Sequence, residues 1–395
     1  MSPSATTTTH GTTAPAASEV AQKQQWGELD ASAMVKTLVP ETDQRPVPAV
    51  DDPVRIGQNC TAAHMVQVPW SMETGWGTPV MSPYGKIALE PTASVLHYAT
   101  ESFEGMKAYR GYDNKLRLFR PQLNCARMVK SNARVGLPSF DPQGLLDIIT
   151  AYISVECRRW LPDQGSNIYL RPAMIGSGSA LGINQPPEAL FFLFAVLFPQ
   201  ASRLPHPGIK LLASSPEHIR AWPGGFGSAK TLWLFGEDRL VTEAGASNFF
   251  VVWEKKDGQG IELVTSSLDT GVILDGITRR SALEIARERL TQEASGKHTS
   301  LDPLEVVERP FSMDEIVEAH AEGRIVEAFV TGTAMFVTPV SLIHYNDRDI
   351  NLPMTVTDDG HKIPHAKYSS AIKAWLEDII YGQVDHEWGY VVEEQ

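Results

Sequence analysis

The residue order predicts an α+β protein of two domains whose sheets are mostly antiparallel. Three observations carry this. The chain has 395 residues, too many for one ordinary core. Short apolar runs bounded by Gly and Pro recur from Arg55 to Gly111 and beyond Ile209, which is strand chemistry. Helical periodicity comes in separate patches, without the strict alternation that a doubly wound parallel sheet needs.

Taken in order, residues 1–25 are Thr, Ser, Ala and Gln with almost no charge, a composition that predicts a disordered tail. The tail has no arginine and no apolar signal segment, so a cytoplasmic location is the expectation. A small N-terminal α/β domain then spans 26–200, opening on an irregular lead-in from Trp26 to Val50. Its hairpin turns at Asp113-Asn114. Pro121 suits the first position of a helix with Leu123, Ala126 and Met128 partly inward. A clearer helix starts at Asp141-Pro142, with Leu145, Ile149, Tyr152 and Ile153 on one face. Strands follow at Ile168 to Met174 and Ala189 to Phe198; the latter is the most apolar run, far short of a membrane span.

The Pro- and Ser-rich stretch from Gln200 marks the boundary, with 201–207 as linker and 208–395 as the larger domain. That domain is expected to hold strands at Ile209 to Ala213, Leu232 to Phe235, Phe249 to Trp253 and Ile261 to Thr265. Helices are expected at Thr278 to Leu290, Ser312 to Ala321 and Ala366 to Tyr381, the second opened by a Ser312/Glu315 capping box.

Composition excludes several functions. A net charge of −13 leaves no basic excess to replace counterions on nucleic-acid phosphate. Three scattered cysteines, Cys60, Cys125 and Cys157, lack metal-ligand spacing and fit a reducing compartment better than a disulfide framework. Neither a metal nor a membrane partner is expected.

The stretch from Arg220 to Lys230 is a glycine loop ending in one lysine, with the apolar run Thr231 to Phe235 behind it. A lysine held there, away from bulk water, can lose its proton and attack a carbonyl; a solvated surface turn is the ordinary alternative. The loop is a near miss for a nucleotide phosphate loop. It has Ala229 where glycine is needed, and a strand rather than a helix behind it. Gly176 to Gly182 imitates a dinucleotide fingerprint but lacks the last glycine.

Other sites read better together. Gly276 to Arg280 opens an amphipathic helix whose free N–H groups at Ile277 and Thr278 suit a phosphate, N-capping by Thr278 being the plain alternative. Arg120 could supply a cation to it, or be a surface arginine. Glu243, between an apolar strand and a glycine turn, could hold a pyridinium N–H or lie in water. Thr331 to Ala334 is a small-residue turn able to offer backbone N–H groups to an anion.

Together these stretches resemble the branched-chain aminotransferases, pyridoxal-phosphate enzymes of fold type IV. The resemblance runs through Leu96-His97-Tyr98, Phe103 to Gly111, Arg117 to Pro121 and Tyr169-Leu170-Arg171-Pro172. It continues through Leu232 to Glu237, Thr242-Glu243, Ile273 to Arg279, Gly332-Thr333-Ala334 and Tyr381-Gly382.

The resemblance implies a homodimer, with the larger domain binding pyridoxal 5'-phosphate and the site lying between domains. It implies amino-group transfer between a branched-chain or similar apolar L-amino acid and 2-oxoglutarate. Lys230 would be the Schiff-base lysine and proton shuttle, Glu243 the partner of the ring nitrogen. Arg120, Ile277, Thr278 and Thr333 would bind phosphate. Tyr98, Phe103, Tyr169 and Arg171 would line the substrate side, and the Thr333-Ala334 turn would receive the α-carboxylate.

Departures accompany the match. The family's Gly-Gly-Asn-Tyr stretch and helix after the lysine, about twenty residues and longer than an ordinary connection, are absent. Ala246-Ser247 replaces Thr-Met, and Asp275 stands where proline is usual. A working transaminase and a catalytically impaired or inactive homologue, acting as a binding dimer or representing a mis-spliced chain, are the alternatives that follow.

Overall fold

The computed structural model describes residues 28–49, 52–179, 181, 184–199, 208–214, 231–356 and 362–394. The expected tail 1–25, the linker 201–207 and the loop 215–230 with Lys230 lie outside these. Two large sheets carry the described chain, each with its own helices and core. Pairing is antiparallel except at 35–36 with 80–83, 209–213 with 231–235 and 336–345, and 261–265 with 304–308, among the described residues.

The first sheet is built on Cys60–Ser71, Asn167–Gly176 and Glu188–Leu197. In Glu188–Leu197 the alternation of a strand sends Ala189, Phe191, Leu193 and Ala195 into the core, all at most 1% exposed. The helices Pro121–Arg134 and Pro142–Trp160 cover that face. Asp141 caps the second of them by accepting the Gln143 N–H at 3.0 Å, with Pro142 at the first position. Leu145, Ile149, Tyr152 and Ile153 are buried along it, as the periodicity requires. In Pro121–Arg134 the inward residues are Asn124, Cys125 and Met128, while Ala126 is exposed. The phase differs from the apolar pattern because Asn124 is buried to bind Glu104 at 2.8 Å.

The second sheet centres on Ser247–Glu254 and Ile325–Gly332. Ser247–Glu254 is buried on both faces up to Trp253, and its middle, Phe249 to Trp253, reads as one continuous apolar run. Phe250 and Val252 face the helices Ile277–Arg289 and Lys367–Ile380. Phe249, Val251 and Trp253 face Met313–Ala321, whose Ser312/Glu315 capping box is present as expected.

The chain's last strand, Gly389–Val392, returns to the first sheet, pairing with Leu116–Phe119. Val392 joins the first core, and Glu394 accepts from buried Arg110 at 2.7 Å. The end of the expected larger unit, 208–395, therefore pairs into the first sheet.

Helix Lys367–Ile380 starts at Ala366, which offers no side-chain cap. Buried Glu327 replaces one, accepting the N–H groups of Tyr368 at 3.1 Å and Ser369 at 2.7 Å. Burial pushes its carboxyl above the ordinary range. Glu327→Ala would orphan both donors and is expected to cost roughly 1–3 kcal/mol. A lower urea midpoint at unchanged m-value checks this; an unchanged midpoint contradicts it.

Candidate active site

The hairpin of Leu240–Ala244 and Ser247–Glu254 starts the site. Glu243 and Asn248 are register partners in it, so their side chains leave on the same face. Together they hold both backbone ends of one residue, Leu274. Glu243 Oε1 accepts the Leu274 N–H at 3.0 Å, and Asn248 Nδ2 donates to the Leu274 carbonyl at 2.9 Å. Glu243 is 3% exposed, which removes the alternative of a strand-end acid lying in water.

Leu274 leads into the helix Ile277–Arg289, capped at Gly276 with no side-chain bond. Thr278 lies inside the first turn and does not cap it, which removes the plain alternative for that residue. A Cβ on Gly276 would sit 2.1 Å from Asn248 Oδ1, so glycine is required where the loop passes the asparagine. From the first sheet's side, Arg127 donates to the Asp275 carbonyl at 3.0 Å and is itself held by Glu104 at 2.7 Å. The helix N-terminus is therefore fixed from both sheets.

That N-terminus opens on a cleft lined by Ile277, Thr278, Thr333 and Phe336 from one side and Gly105, Lys107 and Tyr109 from the other. The space these side chains enclose is about 20 Å³, room for one water. Thr333 Oγ1 donates to the Gly105 carbonyl at 3.1 Å, and Lys107 Nζ lies 3.5 Å from the Ala334 carbonyl.

Arg120 has φ 47°, a left-handed conformation unusual for a side-chain-bearing residue, immediately before Pro121. Its guanidinium stacks 4.2 Å over Trp388 and reaches the same helix as Thr278, donating to Ser281 at 3.0 Å and to Glu284 at 2.8 Å. It is thus an ion-paired residue beside the cradle, not a loose surface arginine.

A second group lies on the face of the first sheet away from its core. Arg171 donates to the Tyr169 hydroxyl at 2.8 Å and stacks 4.3 Å over the ring of Phe103, which is 56% exposed. Tyr169 stacks on Phe198 at 4.6 Å. Its hydroxyl lies 2.2 Å from where a Cβ of Gly105 would be, so a side chain there would displace it. Tyr98, at the end of a short helix, donates to the Leu181 carbonyl at 2.5 Å.

Of the expected residues, Ile277, Thr278 and Thr333 meet in the cleft, and Ala334 borders it through Lys107. Phe103, Tyr169 and Arg171 form the aromatic group, with Tyr98 apart near Leu181. Glu243 is joined to the cradle through Leu274. Lys230 lies outside the described residues; its neighbour Thr231 accepts the Gly245 N–H at 2.6 Å, beside the Glu243 turn.

Sequence reading missed Lys107, Tyr109, Arg127 and Asn248. The first two carried a usable signal. Met106 and Ala108 are apolar core residues, so strand alternation puts Lys107 and Tyr109 on the other face. Burial raises the Tyr109 hydroxyl well above its ordinary range, and desolvation lowers the Lys107 amine to about 8.

Residues 227–343 match the family model Amino-transferase class IV. The chain is 36% identical to the branched-chain-amino-acid aminotransferase of Monosiga brevicollis over 92% of this chain and 93% of that protein. It is 37% identical to the mitochondrial one of Schizosaccharomyces pombe, covering 90% and 83%, and 38% identical to the cytosolic one of Rattus norvegicus, covering 82% and 79%. Among solved structures, the branched-chain amino acid aminotransferase from Escherichia coli superposes with TM-score 0.56 at 20% identity, covering 84% of this chain and 98% of that one. The enzyme of the same name from Thermobaculum terrenum, in its PLP-form, gives TM-score 0.58 at 21% identity, covering 84% and 99%. The fold is that of these fold type IV proteins, and no described helix is long and apolar enough to cross a membrane. With relatives above 30% identity along most of its length, the chain belongs to the branched-chain-amino-acid aminotransferases.

Proposed function

We propose that this protein transfers amino groups between a branched-chain or similar apolar L-amino acid and 2-oxoglutarate, with pyridoxal 5'-phosphate as cofactor. The observation that carries the reading is the uncapped start of Ile277–Arg289 opening on the cleft, with the loop before it held by buried Glu243. Such a pairing of phosphate cradle and buried acid suits a phosphate-bearing pyridine. Relatives carrying this activity in their names support it over an inactive binding protein.

The cofactor, when bound, supplies an aldehyde to take the amino group and a ring that withdraws electrons from Cα. The chain's own residues do the rest. The N–H groups of Ile277 and Thr278, with the helix dipole, hold the dianion, aided by Thr333. Arg120 adds positive charge from alongside the same helix. Glu243, buried and accepting the Leu274 N–H, would hold a proton at the ring nitrogen. Lys230 moves the α-proton. Phe103, Tyr169 and Arg171 wall the substrate side, Tyr98 extends that wall, and the Thr333-Ala334 turn receives the α-carboxylate.

We further propose a small unit built on the first sheet, a cofactor unit built on the second, and a homodimer. Exposed Leu96, Tyr98, Phe103 and Leu181, between 40% and 58% accessible, support burial against a second copy. Three buried free thiols suit a reducing compartment, and the cytosol is the one we propose.

Purified protein is expected to show a cofactor absorbance band that shifts on adding leucine and returns on adding 2-oxoglutarate. A band that leucine leaves unmoved contradicts transamination.

A further inference from the structure

We propose that Lys107 is a substrate-positioning residue whose ammonium pairs with the carboxylate common to the amino-acid and oxo-acid substrates. This rests on the transaminase reading and adds to it a lysine from outside the residues expected to form the site. The case begins with alternation: Lys107 leaves the strand Met106–Arg110 on the face opposite the core, directly across from Tyr169 in the register. Its amine enters the cleft shared with Thr278 and Thr333. Its hydrogen bond, to the Ala334 carbonyl at 3.5 Å, is long, leaving most of its donor capacity for a ligand.

Among the described residues no carboxylate pairs with this amine. The titratable and charged groups around it are Tyr109 on its own strand, Tyr169 and Arg171 on the facing strand, and Glu104 just ahead of it. Glu104 is committed to Arg127 and Asn124, and Arg171 to Tyr169. Lys230 lies outside the described residues. Lys107 is half-buried and its amine has no carboxylate partner among the described residues, so a carboxylate arriving at the Thr333-Ala334 turn would supply one. A cofactor phosphate is the competing anion. On the proposed reading the Thr333-Ala334 turn receives the carboxylate, and Lys107 reaches the Ala334 carbonyl of that turn, which favours the carboxylate over the phosphate.

Free Lys107 has its proton affinity lowered by burial to about 8, and pairing with an anion would raise it. Binding above that pH must therefore draw in a proton, and affinity should fall as pH rises past about 8.

Calorimetry of 4-methylpentanoate, a carboxylate with no amine to titrate, binding to the cofactor-loaded protein tests this. Lys107→Met is expected to weaken binding by roughly 10- to 100-fold and to abolish proton uptake near pH 9. Lys107→Arg should restore much of the affinity with no pH slope there, because guanidinium stays charged. A methionine variant that binds like wild type with the same slope overturns the proposal. So does one that loses cofactor affinity while carboxylate affinity holds, which would assign the amine to phosphate. If wild type shifts its absorbance with leucine, either result counts against Lys107 alone. If it does not, the transaminase reading fails first and carries this one with it.

Discussion

Lys230→Ala is expected to abolish amino-group transfer, lowering kcat by at least roughly 10²–10⁴-fold, the worth of one well-placed proton-transfer group. The loss should be larger than that of any other single side chain, because one amine is asked both to hold the aldehyde and to move the α-proton. Single-turnover absorbance with leucine measures it, with circular dichroism as the check on folding. A variant that still completes the half-reaction at the wild-type rate would remove Lys230 from the chemistry. The measurement also addresses the shortened connection behind the lysine. Strand Thr231–Phe235 begins at the next residue and pairs with Ala213 and Ala244, so the chain is anchored immediately after the lysine.

Glu243→Gln is expected to lower kcat by roughly 10²–10³-fold, the scale seen when one preorganised electrostatic partner is lost. The amide can still accept the Leu274 N–H, so stability should change little. Glu243→Ala loses that acceptor as well, orphans a buried donor and should destabilise by roughly 1–3 kcal/mol besides. The contrast separates the two tasks of the carboxylate. Equal kcat for glutamine and glutamate at this position would mean that the acid only anchors the loop before the helix.

The effects are separable because the site draws on rigid elements from both sheets. Glu243 bonds the Leu274 N–H from one sheet, and Arg127 bonds the Asp275 carbonyl from the other, so the cradle is fixed from two directions. Losing one contact leaves the other to hold the helix start in place.

Much of this was legible in the residues alone. The strands Ile209–Ala213, Ile261–Thr265 and Glu188–Leu197, the helix Met313–Ala321 and the start of the helix Pro142–Trp160 were found within a residue or two. Their signals are local: a cap, a bounding glycine or proline, a period of two or 3.6. Ile325–Gly332 and Phe336–Tyr345, central strands of the second sheet, were not assigned. Their apolar runs are interrupted by Glu327, Thr338 and Ser341, polar residues whose burial depends on distant partners such as the N–H groups of Tyr368 and Ser369.

The same division governs the site. By itself the sequence determined which groups could do the chemistry: an amine, an acid, a helix start and a small-residue turn, each tied to a short run of neighbours. Only the tertiary structure decided that Glu243 is buried against Leu274, that Arg120 is paired with Glu284, and that Lys107 faces the Thr333-Ala334 turn. The reason is physical. Chemical capacity resides in a side chain and its local backbone, whereas charge state, orientation and partner depend on desolvation and on contacts between residues as far apart as 107 and 334.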